Sequence, residues 1–143
     1  MTRDDLNGLL NAVIPFAREL MDKHAGFYPF GASLTSDGQT ELIGAAGGSE
    51  RPPSQEVIDI LLTGLRDAAK DGRIRASAVC ADVKVKLPGV GKTDAIRVTL
   101  EDRGGEALNA FLPYKVHSGD AVEYGEMTFA RADPLVFQPP PKL

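Results

Sequence analysis

Leu6, Leu9, Leu10, Val13, Ala17, Leu20 and Met21 recur at helical spacing and make one apolar stripe near the start of the chain. Thr2 stands where it can cap this helix, with Asp4 and Asp5 in the first turn, where the helix dipole favours negative charge. Pro15 falls inside the pattern. It removes one backbone hydrogen bond and crowds the carbonyl of Asn11, so a kink or a break is expected there. Lys23-His24-Ala25-Gly26 ends the helix, and Phe27 to Leu34 reads as an aromatic-rich strand with Pro29 near its start or on an edge. Ser36-Asp37-Gly38 is a turn signal, and Thr40 to Ala45 returns as the second strand of a hairpin. Gly47-Gly48-Ser49 loosens the chain. After Pro52-Pro53, Ser54 is the expected cap of a second helix, whose stripe is Val57, Ile60, Leu61, Leu65 and Ala68 and whose stop is Asp71-Gly72.

From Ile74 the period changes to two. Val79, Ala81, Val83 and Val85 fall on one face of a strand, and Ile96, Val98 and Leu100 on one face of the next. Matching those faces pairs Val83 with Ile96 and Ala81 with Val98, sets Asp82 opposite Arg97 and leaves Leu87 to Lys92 as the loop. Asp102-Arg103-Gly104-Gly105 is a tight reversal that sets Leu108, Ala110 and Leu112 against Leu100, Val98 and Ile96. Lys115 to Gly119 is a polar link. Val122 to Ala130 then alternates again, with Met127 and Phe129 pointing inward. Leu135-Val136-Phe137 reads as an apolar plug, and the Pro-rich stretch over 138–143 as an extended tail. The expected fold is α+β, an antiparallel sheet of about six strands with two helices on one face, in the order α-β-β-α-β-β-β-β.

Composition fits that picture. A chain of 143 residues suits one domain, here 1–137, and at this size folding buries roughly 68–70% of the unfolded surface. It is 43% hydrophobic and 25% charged, which argues against disorder and fibrous repeats. The formal net charge is −4, with lysines and arginines scattered among acids, so nucleic acid is not an expected partner. The single cysteine, Cys80, cannot form an internal disulfide or a Cys-based metal cluster, and its apolar strand setting reads as core packing. The amino-terminal Met-Thr-Arg-Asp-Asp lacks the basic region and apolar run of a secretory signal, and no stretch has the length of a membrane span. A cytoplasmic protein without membrane attachment is expected.

Candidate chemistry is sparse. Gly91-Lys92-Thr93 invites a phosphate-loop reading, but Lys86 stands where the first glycine of that motif belongs and a strand follows where a helix is needed. The stretch is therefore read as a glycine-rich turn. His24 and His117 fall at a helix end and in a polar link, and no strained turn presents a nucleophile beside either. Glu123 and Glu126 are three apart on a strand, hence on opposite faces. No catalytic residue, metal ligand or cofactor is assigned. The outward face of the sheet is more informative, because it carries Asp82, Arg97, Thr99, Phe111, Tyr124 and Glu126, a mixture of charges and aromatic rings suited to an interface. A pocket beside the Phe27 to Ala32 stretch, with Tyr28, Tyr114, Asp82 and Arg97 as its polar groups, is the alternative.

Phe27-Tyr28-Pro29-Phe30-Gly31-Ala32, Pro52-Pro53-Ser54-Gln55, Asp94-Ala95-Ile96-Arg97-Val98, Leu112-Pro113-Tyr114 and Glu123-Tyr124-Gly125-Glu126 together resemble a group of small uncharacterised bacterial proteins, over nearly the whole chain. The resemblance implies no established activity, although some members of such groups look like immunity proteins that neutralise a toxin. Separately, the element order is similar to the roadblock or profilin-like arrangement, except that a strand stands last where a helix belongs; this analogy concerns fold and not function. The first expectation is a non-enzymatic cytoplasmic domain that binds a protein partner or itself as a homodimer through a bare sheet face. A small-ligand binder or enzyme and an immunity-type inhibitor are the alternatives.

Overall fold

The computed structural model describes residues 2–24, 27–44 and 54–137. In chain order they form α1 (Thr2–His24), β1 (Phe30–Thr35), β2 (Thr40–Ile43), α2 (Ser54–Lys70), β3 (Ile74–Leu87), β4 (Gly91–Asp102), β5 (Ala107–Val116), a 3-10 turn (Ser118–Asp120), β6 (Val122–Tyr124) and β7 (Thr128–Arg131). The side chains of Thr2, His24 and Ser54, and with them the two expected caps, the end of the second strand at Ala45, the Gly47-Gly48-Ser49 and Pro52-Pro53 stretches and the tail over 138–143 lie outside what is described. Pro15 does not break α1, which runs through it as one helix with Pro15 on its exposed side.

The seven strands pair antiparallel in one sheet of order β2-β1-β3-β4-β5-β6, with β7 also on β5. The α+β class and the element order follow the sequence pattern. The extra strand arises because Val122 to Ala130 is not continuous: β6 pairs the end of β5, with Tyr114 opposite Tyr124, and β7 pairs its beginning, with Ala110 opposite Phe129. Between them the register moves by one residue at Gly125. Its N–H donates to the Pro113 carbonyl at 2.8 Å, and a Cβ there would stand 3.0 Å from Pro113 Cγ, so a side chain at this position would require the proline ring to give way. Phe129 shares the face of its core partner Ala110, as expected, but stands exposed at the margin of the sheet, while Met127 packs on the core.

The two helices lie on opposite faces, not on one. Phe30 of β1 meets Phe16 of α1 edge to face at 5.1 Å, whereas a Cβ on the next residue, Gly31, would point at Leu61 of α2. Under α1, Leu6, Leu9, Val13, Ala17 and Met21 pack on a floor that includes Ala32, Ala78, Cys80, Ile96, Val98 and Leu100. Under α2, Val57, Leu61 and Leu65 pack on Ile74, Val79 and the C-terminal Val136. Each fully buried aliphatic side chain contributes about 1.5–3 kcal/mol to holding these layers together. The sequence pattern misleads here because β1 from Phe30 to Leu34 and β3 from Ala76 to Ala81 are buried throughout. A strand covered on both faces is apolar without alternation and does not say which side is inward.

The same ambiguity displaces the β3–β4 register by one residue. Cys80 pairs with Val98, Ala81 with Arg97, Asp82 with Ile96 and Val83 with Ala95. Ala76, Ala78 and Cys80 thus form the α1 face, and the expected Val83–Ile96, Ala81–Val98 and Asp82–Arg97 pairs do not form. The turn is three residues, Pro88 to Val90, instead of the longer loop; Gly89 and Gly91 take the positive φ it requires. By contrast Leu108, Ala110 and Leu112 do face Leu100, Val98 and Ile96, as the β4–β5 pattern predicts.

A second irregularity joins α1 to the sheet. Leu34 pairs with Ala76 and Thr35 with Ile74, so Arg75 has no β1 partner, and its guanidinium reaches Asp5 in the first turn of α1 at 3.3 Å. At the other end of the chain, the Leu135, Val136 and Phe137 N–H groups all donate to Glu101 Oε1 at 2.9, 2.9 and 3.2 Å, and Arg66 of α2 donates to the Leu135 carbonyl at 2.6 Å. The expected plug is therefore Val136, which is buried; Leu135 is exposed.

Candidate functional site

Past the last apolar row under α1, the sheet changes character. Lys84, Asp94, Tyr114 and Tyr124 are cross-strand partners in turn, one row over β3, β4, β5 and β6 on the α1 face. One row inward, Asp82 stands beside Ile96, and the Tyr114 hydroxyl reaches back to donate to Asp82 Oδ1 at 2.5 Å. From α1, the Arg18 guanidinium lies over the Tyr124 ring, 4.5 Å from its centroid. Gly125 against Pro113 fixes this corner, so the Leu-Pro-Tyr and Glu-Tyr-Gly-Glu motifs are two sides of one contact.

Burial raises the Asp82 carboxyl above the usual aspartate range; the Tyr114 hydrogen bond opposes the shift, Asp94 adds to it and Lys84 offsets it. Tyr114 is shifted up as well, by burial first and then by donating to Asp82. Tyr124 moves the same way through burial and Asp22, with Arg18 opposing. The Cys80 thiol, pushed up by burial and then by Asp82, is an inert core group. Neither Asp82 nor Asp94 has an ion pair among the described residues. The Tyr114 hydroxyl and the Asp82 carboxyl form one hydrogen-bonded pair, with the Asp94 carboxylate close enough to act on Asp82 through its charge.

The sequence-predicted residues divide between the two sides of the sheet. Asp82, Tyr114 and Tyr124 come together on the α1 face. Arg97, Thr99 and Phe111 are on the α2 face, where Arg97 sits between Ala81 and Phe111, and Thr99 Oγ1 donates to Asn109 Oδ1 at 2.7 Å. The sheet face that was to carry all six is thus not one surface, nor is it bare, since α2 and the Val136 segment cover part of it. Glu126 is exposed between β6 and β7 and lines a cavity of about 440 Å³ with Tyr114, Lys115, Glu123 and the Pro88–Val90 turn. Tyr28 is exposed ahead of β1, and with Asp82 and Arg97 on opposite faces the expected four-residue pocket does not exist.

What the residue pattern missed is the β3–β4 ribbon. The β1 pairing of β3 stops at Cys80 and the β5 pairing of β4 stops at Asp94, yet β3 and β4 stay paired out to Leu87 and Gly91. Lys84 faces Asp94 and Lys86 faces Lys92 on one side of this ribbon, with Val83 and Val85 on the other and Val90 at the tip, 54% exposed. Alternating Lys84 and Lys86, answered by Lys92 across a glycine turn, was the available signal. Gly91-Lys92-Thr93 opens β4 and no helix follows, as its context in the sequence requires.

Among the described residues no group of His, Cys, Asp and Glu is placed to hold a metal ion, and no helix is long and apolar enough to cross a membrane. Comparison with protein-family models, curated proteins and solved structures found no match.

The hydrogen bond gives a direct test. Tyr114→Phe removes the group that lowers the Asp82 pKa, so the Asp82 titration followed by carboxyl-carbon NMR moves to higher pH. A group with a raised folded pKa binds more protons folded than unfolded, so the Asp82 contribution falls as pH rises from the aspartate value of 3.8 through the folded one, over a wider window in the variant. An unchanged Asp82 midpoint contradicts the assignment.

Proposed function

We propose that this chain is a protein-interaction domain whose binding element is the β3–β4 ribbon, with the Asp82–Tyr114 cluster bracing its base. The observation that carries the reading is that the ribbon outruns both neighbouring strands. A two-stranded ribbon is marginal by itself in water, because neither edge nor face is covered. Leu87 in the ribbon is buried, but the valine at its tip is exposed and two of its lysines are directly opposed, which has a stability cost. A partner seated on the ribbon would cover that apolar surface and those charges. Dimerisation through a bare sheet face has no such support, since both faces carry a helix.

The test is site-specific photocrosslinking in cells that express the protein. A benzophenone side chain at Val90 should give a discrete covalent adduct with a second protein, and the same group at Glu56, exposed on α2, should not. Equal labelling from both positions, or none from Val90, removes the reading.

A further inference from the structure

The ribbon has an open backbone edge. Beyond Cys80 no described strand pairs with the outer side of β3, and the residues from Asp82 to Leu87 make no further hydrogen bond to a described residue there. In an antiparallel pair, alternate residues direct their N–H and C=O groups away from the partner strand, so among the described residues this edge is a row of donors and acceptors without a partner. Lysines are a common guard on such edges, and that role suits Lys84 and Lys86 by themselves. It does not account for the register, which sets Lys86 directly against Lys92, a like-charge pair that destabilises the ribbon in a protein of net charge −4. None of these lysines has an ion pair among the described residues, and with Asp94 and Thr93 they line a concavity of about 480 Å³.

We infer that the free edge of β3 between Asp82 and Leu87 takes an extended acidic segment of a partner protein as an added strand. The inference rests on the ribbon being the binding element and adds the mode and the chemistry. Main-chain hydrogen bonds to the β3 edge supply the affinity common to strand addition. Alternation in the added strand supplies the selectivity: on the side that Asp82 and Asp94 share at the base of the ribbon, acidic side chains meet Lys84 and Lys86, with Lys92 across the ribbon adding positive charge, and apolar ones on the other side continue Val83 and Val85. A second copy of this chain is a poor occupant, because antiparallel pairing of two β3 edges brings the lysines of each against those of the other.

The probe is an acetylated, amidated peptide Thr-Glu-Val-Glu-Val-Glu-Thr, titrated into the full-length protein and followed by amide NMR and hydrogen exchange. Binding should protect alternate β3 amides between Asp82 and Lys86 and weaken with salt. The double substitution Lys84→Glu and Lys86→Glu, at two exposed positions that leave the core untouched, should weaken it by about tenfold or more. A fully N-methylated peptide of the same charge cannot pair as a strand and should not bind. The inference is overturned if the methylated peptide or a single-stranded oligothymidylate binds as tightly as the unmodified peptide, since charge alone would then suffice. It is equally overturned if the unmodified peptide fails to bind or protects amides elsewhere. Those outcomes leave the Val90 crosslink intact, so failure of strand addition is distinguishable from failure of the ribbon as binding element.

Discussion

Glu101→Ala should be among the most destabilising single substitutions in this chain. Glu101 is 2% exposed, and one of its carboxylate oxygens accepts the N–H groups of Leu135, Val136 and Phe137. Those three donors fold around a single oxygen, the arrangement by which successive backbone N–H groups bind an anion. Truncation strands three backbone donors, that of Val136 buried and those of Leu135 and Phe137 part-buried. Leaving a buried donor without its acceptor costs about 1–3 kcal/mol, so losing the acceptor of all three should cost about 3 kcal/mol or more. Glu101→Gln keeps the shape and an acceptor oxygen but loses the charge, and hydrogen bonds to charged groups are worth roughly twice neutral ones, so its loss should be nearer 1–2 kcal/mol. Denaturant unfolding gives the ranking, wild type above Gln above Ala. Hydrogen exchange at Leu135 to Phe137 should accelerate in both variants before the core strands are affected. An alanine variant that unfolds at the wild-type denaturant concentration would show that the C-terminal segment is held by Val136 packing and not by Glu101.

That contact also marks where reading the residues runs out. The Leu135-Val136-Phe137 plug was visible as an apolar cluster after a proline, but nothing in the pattern joined it to Glu101, a glutamate at the end of a strand some thirty residues earlier. Long-range pairs of this kind leave no periodic trace. The elements themselves were legible because each has a strong local signal: the stripe from Leu6 to Met21, the aromatic run into β1, the stripe of α2 and the glycine reversals. The β4–β5 register was legible too, since Leu100, Val98 and Ile96 alternate cleanly with Glu101, Thr99 and Arg97. The β3–β4 register was not, because small residues hid the inward face. Ala76, Ala78 and Cys80 lie under α1, yet they look less hydrophobic than Val79, Val83 and Val85 on the other face. That one-residue error sent Asp82 and Arg97 to the same side, and with it the whole candidate site.

The register has its own test in paired substitutions. Ala78 is fully buried, with α1 packed over the β3 floor to which it belongs, and the small side chains of Ala76, Ala78 and Cys80 are what let the helix approach the sheet. Ala78→Leu adds three heavy atoms to this layer. Overpacking of a close-packed core costs about 1–3 kcal/mol and occasionally more, and here the added atoms meet a helix that is also tied to β3 through Asp5 and Arg75, so the upper end is expected. Val83→Leu, on the half-exposed side of the ribbon, should change stability by no more than about 0.5 kcal/mol. The register that matches Val83 to Ile96 inverts this order, because Val83 would then be inside and Ala78 outside. Thermal or denaturant unfolding of the two variants side by side therefore decides the register: a strongly destabilised Val83→Leu beside a neutral Ala78→Leu would reverse the faces of β3. It would also return Asp82 to the side of Arg97 and take away the Asp82–Tyr114 contact at the base of the ribbon.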